Sequence, residues 1–219
     1  QDWMLSPDAS SWRVAPDEGG PSRAFADIGS HWCDLVEWVS GERFAELTAA
    51  MSIAVPERPV LGGATFSAPT SGGERAAVST EDSAVLLLRT STGVLASATI
   101  SQVAAGRKNR LWFELDGARS SAVFDQENPE TAWLGTSDGA RILVRDIGSG
   151  CAEQRRLSQL PAGHAQGYAQ CFEAFVADAY AAIEGQRPEG LPTFADGLRS
   201  ARLVDAVLRS TRTGSWVPV

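Results

Sequence analysis

Apolar residues recur at helical spacing in three segments of the chain. The first segment runs from about Asp27 to Ser40, the second from Tyr168 to Ile183, and the third from Phe194 to about Thr211. In the first, five apolar side chains share one helix face: Ile28, Trp32, Leu35, Val36 and Val39. Gly41 and Gly185 follow the first two segments, and a glycine at that place typically ends a helix. The pattern therefore predicts one early helix and two late ones.

Between the early helix and the late ones, the pattern is typical of short strands. Polar and apolar residues alternate over Leu111–Leu115, as in a strand with one buried face. Turn residues at Ser91–Gly93 and at Asp138-Gly139 separate pairs of such runs, which predicts two hairpins. The predicted strands are 45–55, 84–89, 94–101, 111–115, 121–124, 132–135 and 141–144, with a long loop over about 57–80. We expect these strands to form one open, mostly antiparallel sheet.

The order of the elements predicts an α+β fold in which the helices cover one face of the sheet. A length of 219 residues predicts one domain over 1–219. Residues 1–26 contain Pro7, Pro16 and Pro21 and the pair Gly19-Gly20, so we expect them to be an irregular lead-in to the first helix.

The composition excludes several classes of partner. The formal net charge is −8, which argues against nucleic acid because proteins that bind phosphate backbones present basic patches. Three cysteines, Cys33, Cys151 and Cys171, lie far apart without a C-x-x-C pair, which indicates reduced thiols in a cytoplasmic protein. No apolar run approaches the roughly 20 residues of a membrane span.

The candidate chemistry lies on the first helix. At about 100° per residue, Asp27, His31 and Asp34 form one narrow polar stripe beside the apolar face. A carboxylate near an imidazole fixes its tautomer and favours its action as a general base. Other interpretations stay open, since Asp27 could cap the helix, His31 could be a buried hydrogen-bonded residue and Asp34 could be a solvated side chain.

Four motifs carry a resemblance to a known family: Trp12-Arg13, Gly19-Gly20-Pro21-Ser22-Arg23, Asp27-Ile28-Gly29-Ser30-His31 with Asp34, and Leu160-Pro161-Ala162-Gly163-His164-Ala165-Gln166-Gly167-Tyr168. The chain resembles the C-terminal, substrate-side domain of Gfo/Idh/MocA oxidoreductases, which act on sugars and polyols with NAD(P). The resemblance implies that Asp27 and His31 are catalytic. It also implies that residues 1–26 lead in from an N-terminal dinucleotide-binding domain, which would carry the family's catalytic lysine.

The implied reaction is oxidation of a secondary alcohol of a sugar, inositol or related polyol. His31 would take the hydroxyl proton, Asp27 would hold His31 or the hydroxyl in line, and NAD or NADP would accept the hydride. The residues expected to bind the substrate are Trp12, Arg13, Asp34 and His164. No residue is assigned to the cofactor, because no G-x-G-x-x-G follows a strand, and none is assigned to a metal. The open face of the sheet is expected to pair with another subunit in a homo-oligomer.

Two other functions stay open at this point. The chain could be a non-catalytic binding or dimerisation module of the same fold. It could also be a metal-dependent sugar lyase or isomerase that uses His31, His164 and one of Asp27 or Asp34 as ligands. Gly135–Gly139 matches the G-x-S-x-G motif of hydrolases, but that motif needs a following helix, and a strand is predicted there.

Overall fold

The structure, a computed structural model, describes residues 1–60 and 74–219. Their backbone divides into two compact units, of which the first comprises Gln1–Lys108 with Phe194–Val219 and the second Asn109–Thr193. The described residues combine antiparallel strands with helices, so the predicted α+β class is confirmed. The single domain over 1–219 stays a prediction.

Strands and helices have the following bounds. The strands are β1 (Phe44–Ser52), β2 (Glu57–Pro59), β3 (Arg75–Ala77), β4 (Ser83–Thr90), β5 (Leu95–Ser101), β6 (Trp112–Asp116), β7 (Ser120–Asp125), β8 (Thr131–Thr136), β9 (Gly139–Val144) and β10 (Val217–Pro218). The α-helices are α1 (Pro16–Gly19), α2 (Ser30–Ser40), α3 (Ala152–Leu157), α4 (Tyr168–Ile183) and α5 (Phe194–Thr213). A 3-10 turn covers Trp12–Val14, and a π-helical turn covers Phe25–Gly29.

The helix of the polar stripe begins earlier than its pattern predicts. The π-helical turn at Phe25–Gly29 runs directly into α2, so helical structure is already present two residues before Asp27. α2 ends at Gly41, whose φ of +73° is a left-handed conformation that glycine adopts without strain. The 3-10 turn and α1 give regular structure to part of the lead-in that was expected to be irregular.

In the first unit, helices cover one face of an antiparallel sheet with the order β10-β1-β4-β5. Leu86 and Leu88 of β4 are fully buried, whereas Val85 and Leu87, which alternate with them, are 52% and 51% exposed. α5 packs against β1 and α2 packs against α5, with Leu203 of α5 buried. The alternation of β4 therefore separates the core face of the sheet from its uncovered face.

The second unit contains an antiparallel meander, β6-β7-β8-β9, together with α3 and α4. Phe113 of β6 faces Phe124 of β7, with ring centroids 5.9 Å apart. β8 extends to Thr136 and β9 begins at Gly139, so the predicted hairpin at this turn is confirmed. The G-x-S-x-G match therefore lies in a strand–turn–strand, where a nucleophile elbow cannot form.

Two predictions about the strands are wrong. The two four-stranded sheets are separate hydrogen-bonded sheets rather than one, and the segment between β5 and β6 contains a turn at Gly106, whose φ is +84°. The loop predicted over 57–80 contains the paired strands β2 and β3. A pairing of three residues on each strand is too short to stand out among the turn residues of this segment. The glycine pairs 62–63 and 72–73 of the predicted loop lie outside the described residues. Within the described ranges, no helix is long and apolar enough to cross a membrane.

Candidate active site

Three of the predicted site residues line one cleft in the first unit. Trp12, Arg13 and Asp27 enclose a volume of about 190 Å³. The other lining residues are Gly19, Ser22, Arg23 and Ala26. The Gly/Pro-rich loop and the first helical turn thus form a single concave surface, although they look like unrelated local motifs in the sequence.

Both carboxylate oxygens of Asp27 are held by other side chains. Arg13 Nε lies 3.1 Å from Oδ1 in an ion pair, and Gln102 Nε2 donates a hydrogen bond of 2.9 Å to Oδ2. The backbone N–H of Asp27 donates to the carbonyl of Arg23, so the residue lies inside the helical hydrogen-bond pattern and is not an N-cap. Asp27 side-chain exposure is 22%, which leaves part of the carboxylate facing the cleft.

His31 lies one turn after Asp27 and is exposed. The interpretation of His31 as a buried structural residue is therefore wrong. The carboxylate of Asp27 is bonded to Arg13 and Gln102 rather than to the imidazole. The ring is thus open to solvent on the same side of the helix as the carboxylate, where a ligand could contact both groups.

Asp34 is the second carboxylate of the stripe and is also exposed. Partial burial raises the pKa of Asp34, and the nearby carboxylates of Asp196 and Glu37 raise it further, while the attraction of Arg43 and, more weakly, of His31 opposes them. The alternative of a solvated Asp34 fits its exposure, and a role in substrate binding stays a prediction.

Glu81 fixes the chain at the start of the helix. Its buried carboxylate accepts hydrogen bonds from Ser22 Oγ at 2.8 Å, from the N–H of Arg23 at 3.0 Å and from the N–H of Phe25 at 2.8 Å. The first N–H groups of a helix have no partners within the helix, and a negative charge there also favours the helix dipole. Glu81 therefore anchors the segment that carries Asp27.

A buried ion cluster lies behind this anchor. Asp82, which is fully buried, accepts hydrogen bonds from Arg23 Nη2 and from Arg58 Nη2, the latter at 3.0 Å. Its other oxygen accepts the N–H groups of Ala54 at 2.8 Å and Val55 at 2.9 Å. Burial alone would raise the pKa of Asp82, but the Val55 N–H and the two guanidinium groups outweigh it and lower the pKa. Arg23 is thereby fixed through both its backbone and its side chain.

The π-helical turn places Asp27 and His31. The N–H of Ser30 donates to the carbonyl of Phe25, five residues back, and π turns of this kind are frequent at functional sites. A Cβ on Gly29 would lie 2.3 Å from the buried ring of Phe25, so only glycine fits beside this ring. The position of the Asp-x-x-x-His pair thus depends on a close approach between Phe25 and Gly29.

His164 belongs to the second unit, in an exposed loop. Its carbonyl accepts a hydrogen bond of 2.8 Å from Arg145 Nη2, and Arg145 also pairs with Glu130. Gln166 reinforces the loop, since its side chain accepts from the N–H of Gln159 and its N–H donates to Glu130. The loop position was predicted correctly, and its contribution to substrate binding stays a prediction.

Sequence reasoning assigned no role to three residues that support the site: Arg23 as an ion-pair partner, Glu81 and Gln102. Gln102 had a signal in the sequence. Ala98 and Ile100 face the core from β5, and Gln102 continues this period of two at a fully buried position. A polar side chain at an inward-facing position needs a buried partner. Across residues 1–60 and 74–219, no group of three or more His, Cys, Asp or Glu side chains is arranged to hold a metal ion.

Comparison with known proteins agrees with this geometry. The sequence profile of the GFO/IDH/MocA C-terminal domain matches residues 1–123, more than half of the chain. The chain belongs to the GFO/IDH/MocA family. One relative in this family is levoglucosan dehydrogenase from Pseudarthrobacter phenanthrenivorans, which is 34% identical over 229 aligned positions. That alignment covers 100% of this chain and 57% of the relative, so the chain spans just over half the length of the enzyme it matches.

Solved structures of GFO/IDH/MocA-type proteins share the fold. An oxidoreductase domain protein from Kribbella flavida matches with a TM-score of 0.84 and 32% identity, covering 100% of this chain and 57% of that one. Levoglucosan dehydrogenase in complex with NADH and L-sorbose matches with a TM-score of 0.84 and 29% identity, covering 100% and 56%. The complex of the same enzyme with NADH and levoglucosan gives 0.81 and 28% with equal coverage. The family resemblance seen in the sequence is confirmed.

Proposed function

We propose that this chain is the substrate-side domain of an NAD(P)-dependent dehydrogenase that oxidises a secondary alcohol of a sugar or polyol. One observation carries the proposal: Asp27 lines a cleft with both carboxylate oxygens held by other side chains, one helical turn from an exposed His31. An acid and a base in this arrangement can bind a hydroxyl group and remove its proton. The levoglucosan dehydrogenase complexes, which contain NADH and a sugar, support the same reaction class.

The cleft favours a compact substrate. Its volume of about 190 Å³ is below the roughly 300 Å³ at which pockets for drug-sized ligands begin. The guanidinium of Arg13 lies over the face of the Trp12 ring, 4.6 Å from its centre, so an aromatic ring and a hydrogen-bond donor are held together at the cleft. Anhydrosugars, inositols and single sugar rings have the size and the hydroxyl pattern for this surface.

His31 is the residue that takes the proton in this proposal. Its ring faces solvent, and an imidazole is suited to proton transfer near neutral pH. Once protonated, it would be attracted by Asp34 three residues later on the same helix. Asp27, fixed on both oxygens, would accept a hydrogen bond from the substrate and hold the reacting carbon next to His31.

Oxidation of the carbon also needs a hydride acceptor, and the nicotinamide of NAD or NADP supplies that chemistry when bound. No G-x-G-x-x-G follows a strand in this sequence, so the usual cradle for a dinucleotide is not among its motifs. We therefore assign the nucleotide mainly to a separate nucleotide-binding domain and no residue of this chain to its phosphates. Location in the cytoplasm stays a prediction.

The uncovered face of the first sheet supports the proposal of a homo-oligomer. Val85, Leu87 and Leu95 are 52%, 51% and 68% exposed, and the strand register places all three on that face, with Leu95 opposite Arg89. Burying such a surface against a second copy would remove apolar area from water. Light scattering of the purified protein measures the number of subunits, and a monomer at micromolar concentration would contradict this part of the proposal.

Turnover by the full-length protein tests the catalytic assignment. A panel of anhydrosugars, inositols and monosaccharides is assayed with NAD and with NADP by absorbance of the reduced cofactor. We expect His31→Ala to lower the rate by about two to four powers of ten, the typical contribution of acid–base catalysis. Val39→Ala, an exposed change on the same helix, is the matched control and should retain the wild-type rate. Normal turnover by His31→Ala would remove His31 from the mechanism.

The non-catalytic module is the second candidate, and the apolar sheet face favours it. A module of this kind would bind a sugar or a second subunit but would not need the Asp27 clamp. It predicts that the full-length protein binds members of the panel without reducing either cofactor. Separately, this chain on its own is expected to give no reduced cofactor with any substrate, since the nucleotide is assigned elsewhere.

A further inference from the structure

We propose that Gln102 is a positioning residue, which fixes the plane of the Asp27 carboxylate for the reaction. This inference rests on the proposed function. It starts from the hydrogen bond between Gln102 Nε2 and Asp27 Oδ2, at 2.9 Å and between residues 75 positions apart in the chain. Arg13 holds the other oxygen, so the carboxylate is fixed at two points rather than one.

The backbone of Gln102 is anchored on both sides. Its N–H donates to the carbonyl of Asp82 at 2.9 Å, and its carbonyl accepts the N–H of Met4 at 3.1 Å. Its side chain is fully buried, whereas that of Arg13 is 24% exposed. Gln102 therefore provides the rigid half of the clamp and Arg13 the half that a ligand can reach.

The amide is poorly explained by stability alone. Gln102 Oε1 is buried and has no hydrogen-bond partner within the described residues. An unpaired buried carbonyl is unfavourable, and an apolar side chain of similar size would avoid it. Gln102 also stands where β5 presents apolar residues to the core, at Ala98 and Ile100. A glutamine at this position is expected only if its Nε2 donor, which bonds to Asp27, is needed.

The donor is suited to its task because it carries no charge. Charged groups on the neighbouring elements are Arg13, Arg23 with Asp82, Glu81 and His31. Arg23 and Asp82 already pair with each other, and Arg13 pairs with Asp27 itself. A neutral amide therefore fixes the carboxylate without adding charge beside His31. If the carboxylate rotated, the substrate hydroxyl would be displaced from the imidazole, and a displacement of about 1 Å can lower a rate about a hundredfold.

Two substitutions in the full-length protein test the positioning role. Gln102→Met keeps the length and packing of the side chain but removes the donor. We expect kcat to fall about 10-fold to 100-fold while KM changes by less than about threefold, since the loss is one of geometry. Gln186→Met, at an exposed position after α4, is the matched control. A wild-type kcat in Gln102→Met would overturn the proposal.

Gln102→Glu keeps the shape of the side chain and makes its ability to donate a hydrogen bond depend on pH. The introduced carboxyl can donate to Asp27 only when protonated, and burial beside another carboxylate raises its pKa above the ordinary value. We expect kcat of this variant to approach that of the wild type at acidic pH and to fall as the pH rises, with one ionisation that the wild type lacks. A pH profile parallel to that of the wild type would contradict the proposal, even if Gln102→Met failed to fold.

A readout without turnover separates this inference from the proposed function. In full-length protein labelled with ¹⁵N at glutamine side-chain amides, Asp27→Asn should shift the Gln102 amide signals, and Asp34→Asn should leave them unchanged. If His31→Ala keeps full activity, the proposed function fails. If His31→Ala is inactive while both Gln102 variants behave as wild type, only the positioning role fails.

Discussion

Alanine in place of Gly29 is expected to destabilise the protein, although the same change normally stabilises a helix. Gly29 has a φ of −68°, which any residue adopts, so backbone strain is not the reason. Alanine in a helix interior is favoured over glycine by about 1 kcal/mol. At Gly29, however, the new Cβ would lie 2.3 Å from Cδ2 and 2.7 Å from Cε2 of Phe25. Phe25 is fully buried, so its ring cannot rotate away without disturbing the core.

The expected magnitude follows from these opposing effects. Overpacking of a core typically costs about 1–3 kcal/mol. Subtracting the helical gain of about 1 kcal/mol leaves Gly29→Ala destabilised by up to about 2 kcal/mol. For a protein of this size, this corresponds to a fall in Tm of up to about 8 °C. Because the π-helical turn carries Asp27, turnover of the full-length protein should fall as well.

Gly197→Ala is the matched control. Gly197 lies in α5, and a Cβ there would meet nothing within 4 Å. This substitution should stabilise the protein by about 0.5–1 kcal/mol, as is usual in an open helical position. Urea unfolding of both variants, followed by circular dichroism, gives the two free energies. If both substitutions stabilise the protein equally, the close contact with Phe25 does not constrain the turn.

Two further predictions concern buried ionisable groups. Asp82→Asn should lower the free energy of unfolding by about 3–5 kcal/mol at pH 7, because two buried guanidinium groups lose their charged partner. Urea unfolding measures this loss, and a value below about 1 kcal/mol would show that the ion cluster does not stabilise the protein. In the native protein a thiol reagent should modify Cys151 and Cys171, which are exposed, but not Cys33, because burial raises the pKa of the Cys33 thiol to about 12. Modification of Cys33 at the rate of the exposed pair would show that α2 opens.

The penalty at Asp82 should depend on pH in one direction. The folded structure lowers the pKa of Asp82 below its ordinary value. The carboxylate therefore stabilises the protein fully at pH values above the ordinary pKa of an aspartate. This contribution is lost as the pH falls through the lowered folded pKa. The difference between the wild type and Asp82→Asn should therefore be full at neutral pH and shrink in strong acid. A difference that stays constant down to the acid transition would show that charge is not its source.

The parts of this structure that could be predicted from the sequence are those determined by neighbouring residues. Gly41 and Gly185 mark helix ends, Asp138-Gly139 marks a hairpin, and the spacing of Asp27 and His31 puts both on one helix face. Each of these depends on contacts within a few positions of the chain. A pattern read over ten residues contains that information.

The supporting residues could not be predicted in the same way. Glu81 reaches the helix start across 56 to 59 positions, and Gln102 reaches Asp27 across 75. The period of two in β5 marks Gln102 as inward-facing, but no local pattern names its partner or that of Glu81. The division into two sheets depends on a turn at Gly106 after β5, where the local pattern permits another hairpin. The π-helical turn could not be predicted either, because a glycine four residues after a phenylalanine does not by itself distinguish a π-helical turn from an ordinary helix.

The cleft-bearing unit is assembled from both ends of the chain, with residues 109–193 inserted between its two segments. β10, which completes the sheet beside β1, and α5, which covers its core face, are synthesised after residues 109–193. During synthesis, residues 1–108 must therefore wait, with their core face uncovered, until residues 109–193 have been made. A chain that stops before Phe194 would possess every residue that lines the cleft and still lack the helix that closes the core of that unit.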